Sequence, residues 1–151
     1  MTLRRILIVC LAVSLLLAGV AVFAQVSRPW RNGSVWDVAF IRVKPGMDEA
    51  YRNYLVNEWK AHNEAAKKEG LLLSYKVLST EAHDTSDWNL ILMTEYKNLA
   101  TMEANEPKED ALAQKTIGTD QKQQQGYEDR SKIREIVGGR LAREIVLEPR
   151  Q

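Results

Sequence analysis

MDEAYRNYLVNEWKAHNEAAKKEG, Met47 to Gly70, is the stretch that decides the fold. On a wheel of about 100° per residue, Met47, Ala50, Tyr51, Tyr54, Leu55, Ala61 and Ala65 share one sector, and Arg52, Asn53, Lys60, Asn63, Glu64 and Lys67 take the opposite one. The segment reads as a single amphipathic helix with one face on a core. Asp48 and Glu49 favour the positive end of its dipole, and Gly70 supplies a C-cap. Glu58 and His62, one turn apart, interrupt the apolar sector. A carboxylate and an imidazole at that spacing can meet one substrate proton, and an imidazole oriented by a carboxylate is a competent base near neutral pH. These two are the candidate catalytic residues. The structural alternative pairs Glu58 with Arg42 or a helical lysine and leaves His62 filling a gap under the helix. A metal would need further ligands, with Asp37 the nearest source, and no metal or cofactor is expected.

On either side of the helix the pattern changes to strands. Val35 to Val43 (VWDVAFIRV) is rich in β-branched and aromatic residues and ends at Pro45-Gly46. Leu71 to Leu78 and Trp88 to Tyr96 read as a hairpin with a long polar loop, in which His83 and Asp84 are read as turn chemistry. Asn98 can cap a helix to about Asn105. Pro107 interrupts it as the first residue of a new segment to about Ile117. The tract Gly118 to Gly126 is an exposed helix or a link, Asp129 to Val137 a helix stopped by Gly138-Gly139, and Arg140 to Leu147 the last strand. The order β, α, β, β, α, β gives an α+β fold, a ferredoxin-like sandwich with helices on one face of a four-stranded antiparallel sheet. Strands one and three offer apolar side chains to both faces, yet one helical layer covers only one. A second copy packed by two-fold symmetry resolves this, so a homodimer is expected.

The N-terminus reads as an export signal. Arg4 and Arg5 precede an apolar run from Ile6 to Val20, and Val22-Phe23-Ala24 sets small residues where a signal peptidase cuts. Cleavage after Ala24 delivers the chain to the periplasm or medium with no stable membrane anchor. The expected organisation is a signal at residues 1–24, an irregular lead at 25–34, and one domain at 35–148 with an enlarged helical segment at 98–139. Cys10 leaves with the signal, so the mature chain holds no cysteine. The 151 residues carry 21 Lys and Arg against 20 Asp and Glu. Loss of Arg4 and Arg5 brings the net charge to about −1, which supplies no basic field for nucleic acid.

Val43-Lys44-Pro45-Gly46-Met47, followed by a helix bearing Tyr51, Tyr54 and Trp59, resembles the opening of dimeric α/β-barrel proteins. That superfamily includes NIPSNAP-type proteins, antibiotic-biosynthesis monooxygenases, haem-degrading monooxygenases and stress-responsive barrels. The resemblance covers Val35 to Leu147 and is topological. It implies ferredoxin-like subunits with sheets face to face and a ligand pocket between sheet and helices, but no specific chemistry. Tyr54, Trp36, Phe40, Trp88 and Tyr75 are the candidate ligand-binding residues for a small apolar or aromatic molecule between helix 47–69 and the sheet. Two alternatives stand beside a binding protein. One is a cofactor-independent monooxygenase or isomerase with His62 as base and Glu58 orienting it. The other is an interaction module that uses the 98–139 insertion.

Overall fold

A computed structural model describes residues 29–148. The proposed signal and its cleavage point lie outside them. The chain divides into two units, residues 1–31 with 147–151, and residues 32–146. In the described part of the first, Arg31 pairs with Glu148 at 2.7 Å. The second carries the fold.

Its elements are β1 (Trp30–Val43), α1 (Asp48–Tyr54), a π-helical turn (Leu55–Trp59), α2 (Lys60–Lys68), β2 (Ser74–Ser79), β3 (Leu90–Tyr96), α3 (Leu99–Thr116), α4 (Asp120–Ile133) and β4 (Arg134–Leu147). The sheet order is β2-β3-β1-β4. β1 and β2 both run antiparallel to β3, with Val35 opposite Tyr96 and Ser79 opposite Leu90. β4 also runs antiparallel to β1, since Lys44 N–H donates to Ile133, Arg42 meets Glu135, and Gly139 lies against Val38. This is the split βαβ arrangement of a ferredoxin-like α+β fold.

The first helix is not continuous. In the π turn the Lys60 N–H reaches back five residues to Leu55, which takes one more residue than an α turn. Every later side chain is therefore set back by about 100° around the axis. The buried stripe runs Tyr51, Leu55, Asn63 and Ala66, so Asn63 turns inward while Glu58 and Ala61 turn out. Burying an amide requires a partner, and Asn63 Nδ2 donates to the Trp59 carbonyl at 2.7 Å. Asn63→Ala should cost about 1–3 kcal/mol by removing that bond and its packing. Urea unfolding measures it, and an unchanged midpoint would mean that Asn63 is a passive filler.

A Schellman motif ends α2. Gly70 sits at φ +71°, its N–H bonds to Lys67, and the Leu71 N–H bonds to Ala66. Leu71 and Ala66 then join Leu72, Tyr96 and Leu112 in one buried cluster. A second cluster unites Ile41, Val43, Tyr51, Leu55 and Leu90. Both lie on the helix side of the sheet, so the odd-numbered residues of β1 face the helices.

Several boundaries differ from the sequence reading, among them the start of β2, expected at Leu71 and found at Ser74, and that of β3, expected at Trp88 and found at Leu90. Residues 30–34, expected as irregular lead, belong to β1. Pro107 does not divide the second helical segment. It sits exposed inside α3, where the carbonyl it leaves without a donor is open to water. Asn98 caps that helix, its side chain accepting from the Thr101 N–H at 2.8 Å. The polar tract at 118–126 falls largely within α4. Finally, residues 134–137 are strand, and Gly138-Gly139 lies inside β4 rather than ending a helix. The i, i+3, i+4 spacing of Ile133, Ile136 and Val137 mimics a helix, but pairing along β1 overrides it.

Candidate functional site

Glu58 and His62 share a cleft, but not the one anticipated. It measures about 600 Å³ and lies on the side of the first helix away from the sheet. One wall is the π turn and α2, through Asn57, Glu58, Ala61 and His62. The other is the end of α3 with Thr116 and Ile117, and α4 with Lys122, Gln125, Gly126, Asp129 and Arg130. The insertion thus folds back on its own first helix and completes a concave site. The π turn makes this possible by rotating Glu58 out of the core.

Glu58 does not orient His62; Thr116 does. The Thr116 hydroxyl and His62 Nδ1 are 2.8 Å apart, and the same hydroxyl donates to the Leu112 carbonyl at 2.8 Å. A threonine has one proton to give. With that proton given to Leu112, the matching assignment has Nδ1–H donating to Thr116 and leaves Nε2 its lone pair. Burial lowers the His62 pKa below its usual 6.5, which favours the neutral ring. The result is a neutral imidazole in a fixed tautomer, with Nε2 free as acceptor or base.

The lowered pKa has a consequence for stability. Below about pH 6.5 the unfolded chain takes up a proton that folded His62 resists, so stability falls with pH until the folded pKa is passed. Glu58, Asp129, Lys122 and Arg130 share the cleft and set its field. His62→Gln should flatten the difference in urea stability between pH 7.5 and pH 5.5 relative to wild type. Identical slopes in the two proteins would remove His62 as a source of the pH dependence.

The five aromatic candidates divide between the two faces of the sheet. Trp36 and Phe40 lie on the open face, where the Phe40 and Trp88 rings are 4.9 Å apart and Lys76 sits 5.0 Å from the Trp36 ring. Tyr54 and Tyr75 lie on the helix side. Tyr54 stacks on Tyr51 at 5.6 Å beneath the Arg130 guanidinium, and Tyr75 meets the edge of Trp59 at 5.3 Å while its hydroxyl bonds to Glu64. The space between helix 47–69 and the sheet is largely filled by side chains. The gap there is about 100 Å³, lined by Asp37, Ala39, Trp59, Leu92, Met93 and Thr94. Asp37 therefore faces the helices, and burial raises its carboxyl above the usual range. Burial and the neighbouring Asp110 and Glu106 raise Glu109 likewise.

Elsewhere, Arg42 pairs with Glu135 rather than Glu58. Asp84 accepts from the Ser86 N–H at 2.7 Å, which is turn chemistry. Among the described residues no three of His, Cys, Asp and Glu cluster as metal ligands, and no helix is long and apolar enough to cross a membrane. Thr116, Lys122, Gly126 and Arg130 escaped the sequence reading. The one available signal was Gly126 inside a polar helix with an arginine four residues on.

The fold and cleft together define a ferredoxin-like α+β subunit with a concave cleft on its helical side. No protein-family model matches the chain, and no curated protein matches it in sequence. Among solved structures it is similar to HapK from Hahella chejuensis, with a TM-score of 0.50 and 11% identity over 73% of this chain and 91% of that one. It is also similar to a dimeric ferredoxin-like protein from an uncultured marine organism, with a TM-score of 0.39 and 18% identity over 81% of this chain and 99% of the other. At such identities the likeness to HapK concerns the fold alone.

Proposed function

We propose that the protein is an exported homodimer of ferredoxin-like subunits that binds a small organic molecule in the cleft between α2 and the α3–α4 hairpin. The observation that carries this reading is the chain Leu112 carbonyl, Thr116 hydroxyl, His62 Nδ1, which presents a bare Nε2 at a concave surface. The size of the cleft suits a single-ring compound better than does the gap against the sheet. A fragment screen followed by the ring signals of the two histidines tests it. Binders should move His62 and leave His83, in the distant hairpin loop, unmoved. A screen in which no compound moves His62, or moves both histidines alike, counts against the cleft.

The dimer is supported by the uncovered sheet face. Leu78, Val137, Leu141 and Ile145 are 45%, 45%, 54% and 59% exposed, and they flank Trp36, Phe40, Ile91 and Met93 on that face. Export is supported by Arg4-Arg5, the apolar run and Ala24. N-terminal sequencing of the periplasmic fraction should begin at Gln25, and retention of Met1 would refute cleavage.

A second reading makes the protein an enzyme, a cofactor-independent oxygenase or isomerase with His62 as general base. The fixed tautomer favours it, because a neutral imidazole with an open Nε2 needs no activation to take a proton. In that reading the orienting group is Thr116, and Glu58 is left to touch the substrate. Turnover by wild type that is unchanged in His62→Ala would exclude it.

A further inference from the structure

Among the described residues Arg130 sets its charge against an aromatic ring and pairs with no carboxylate. It projects from α4 with its guanidinium carbon 4.9 Å from the Tyr54 ring, and it lines the cleft. Its Nε is buried without a hydrogen-bond partner, and among the described residues it forms no ion pair. Its neighbour Asp129 is already engaged by Lys132 at 2.7 Å and Gln125 at 3.3 Å. Lys122, about two turns earlier on α4 with its stem against Gly118, also forms no ion pair among the described residues. Facing these two cations, Glu58 is a carboxylate likewise without a pair. The uncommitted charge of the cleft is therefore positive by about one.

Room has been left for the guanidinium. Gly126 stands in the interior of α4, where glycine costs about 1 kcal/mol against alanine. A Cβ at that position would lie 2.9 Å from Arg130 Nη1, the far end of a flexible side chain that would have to move aside. The guanidinium lies over the Tyr54 ring and lines the cleft. A planar fork with open donors is suited to a planar oxyanion, which it can take through two parallel hydrogen bonds.

We infer that the occupant of the cleft is a small monocarboxylate, its carboxylate held by Arg130 and a hydrogen-bond donor on it meeting His62 Nε2. The inference rests on the cleft being a ligand site. One negative charge fits better than two, because Glu58 and Asp129 line the same wall-to-wall space and repel a dianion. Phosphate shares the oxyanion chemistry but brings that second charge.

Titration of the purified protein with benzoate, benzamide and inorganic phosphate, followed by the His62 ring signals, tests this. Benzoate should act at about tenfold lower concentration than benzamide, its neutral counterpart of the same shape, the difference a charge-assisted bond supplies. Phosphate should be the weaker anion. Arg130→Gln should abolish the benzoate preference. Arg130→Lys, which keeps the charge and loses the planar fork, should weaken it as well while leaving the fold intact. Equal response to benzoate and benzamide would overturn the inference in favour of a neutral site, tighter phosphate in favour of a dianion site, and a preference that survives both variants in favour of another cation, each leaving the cleft reading intact. Silence of His62 toward all three probes would overturn the inference and the cleft reading together.

Discussion

Leu141→Asp should convert a dimer into monomers. The register between β1 and β4, fixed by the Arg42–Glu135 pair and the approach of Gly139 to Val38, puts Leu141 on the face that carries Trp36 and Phe40. Leu141, on the edge strand β4, is more than half exposed in the single subunit. A contiguous face of this kind is what obligate interfaces bury. Two-fold pairing brings each substitution in twice, and an unpaired buried carboxylate costs several kcal/mol. A rise of roughly a thousandfold in the dissociation constant follows, about 4 kcal/mol. Sedimentation velocity at micromolar concentration should give two copies for wild type and one for the variant. A wild-type monomer, or an aspartate variant still paired, would contradict the assignment of this face.

The second large effect is in the core. Tyr51 is 1% exposed, joins Ile41, Val43, Leu55 and Leu90, and stacks on Tyr54. Burial pushes its phenol up to about 12, against the pull of the nearby Arg134 guanidinium. The hydroxyl therefore stays protonated across the physiological range, beside the guanidinium of Arg134, itself only 8% exposed. Tyr51→Ala removes both the ring and that hydroxyl and should cost about 3–5 kcal/mol. Tyr51→Phe keeps the ring and should cost about 1–3 kcal/mol, because the buried guanidinium loses a polar neighbour. Against a total stability of roughly 5–15 kcal/mol for a domain of this size, the alanine variant is expected to unfold at far lower urea. Loss of less than about 1 kcal/mol in Tyr51→Ala would mean that the helix does not anchor on this residue.

Much of the architecture was legible because it depends on patterns that survive tertiary context. VWDVAFIRV alternates as a strand must, Pro45-Gly46 turns it, and Asn98 and Gly70 punctuate helices by local hydrogen bonding. What was not legible depends on events that no wheel or propensity encodes. A wheel presumes a constant 100° step, so the extra residue of the π turn, which turns Asn63 inward and carries Glu58 outward, lay beyond it. Gly138-Gly139 looks like a stop until the length of β1 is known, and then becomes the place where β4 passes Val38. The site suffered most. Its far wall comes from Thr116, Lys122 and Arg130, in a tract that composition alone reads as a polar link. Glu58 and His62 were found by their spacing, but the group that holds His62 lies 54 residues away in sequence. The aromatic residues, grouped by type, turned out to serve different faces.

The claim on which the functional account rests is the protonation pattern of one ring. Long-range nitrogen–proton correlation spectra of the labelled protein at pH 7 distinguish the two imidazole nitrogens of His62 directly. The account predicts a protonated Nδ1, bound to Thr116, and a bare Nε2. A proton on Nε2, or on both nitrogens at that pH, would contradict it.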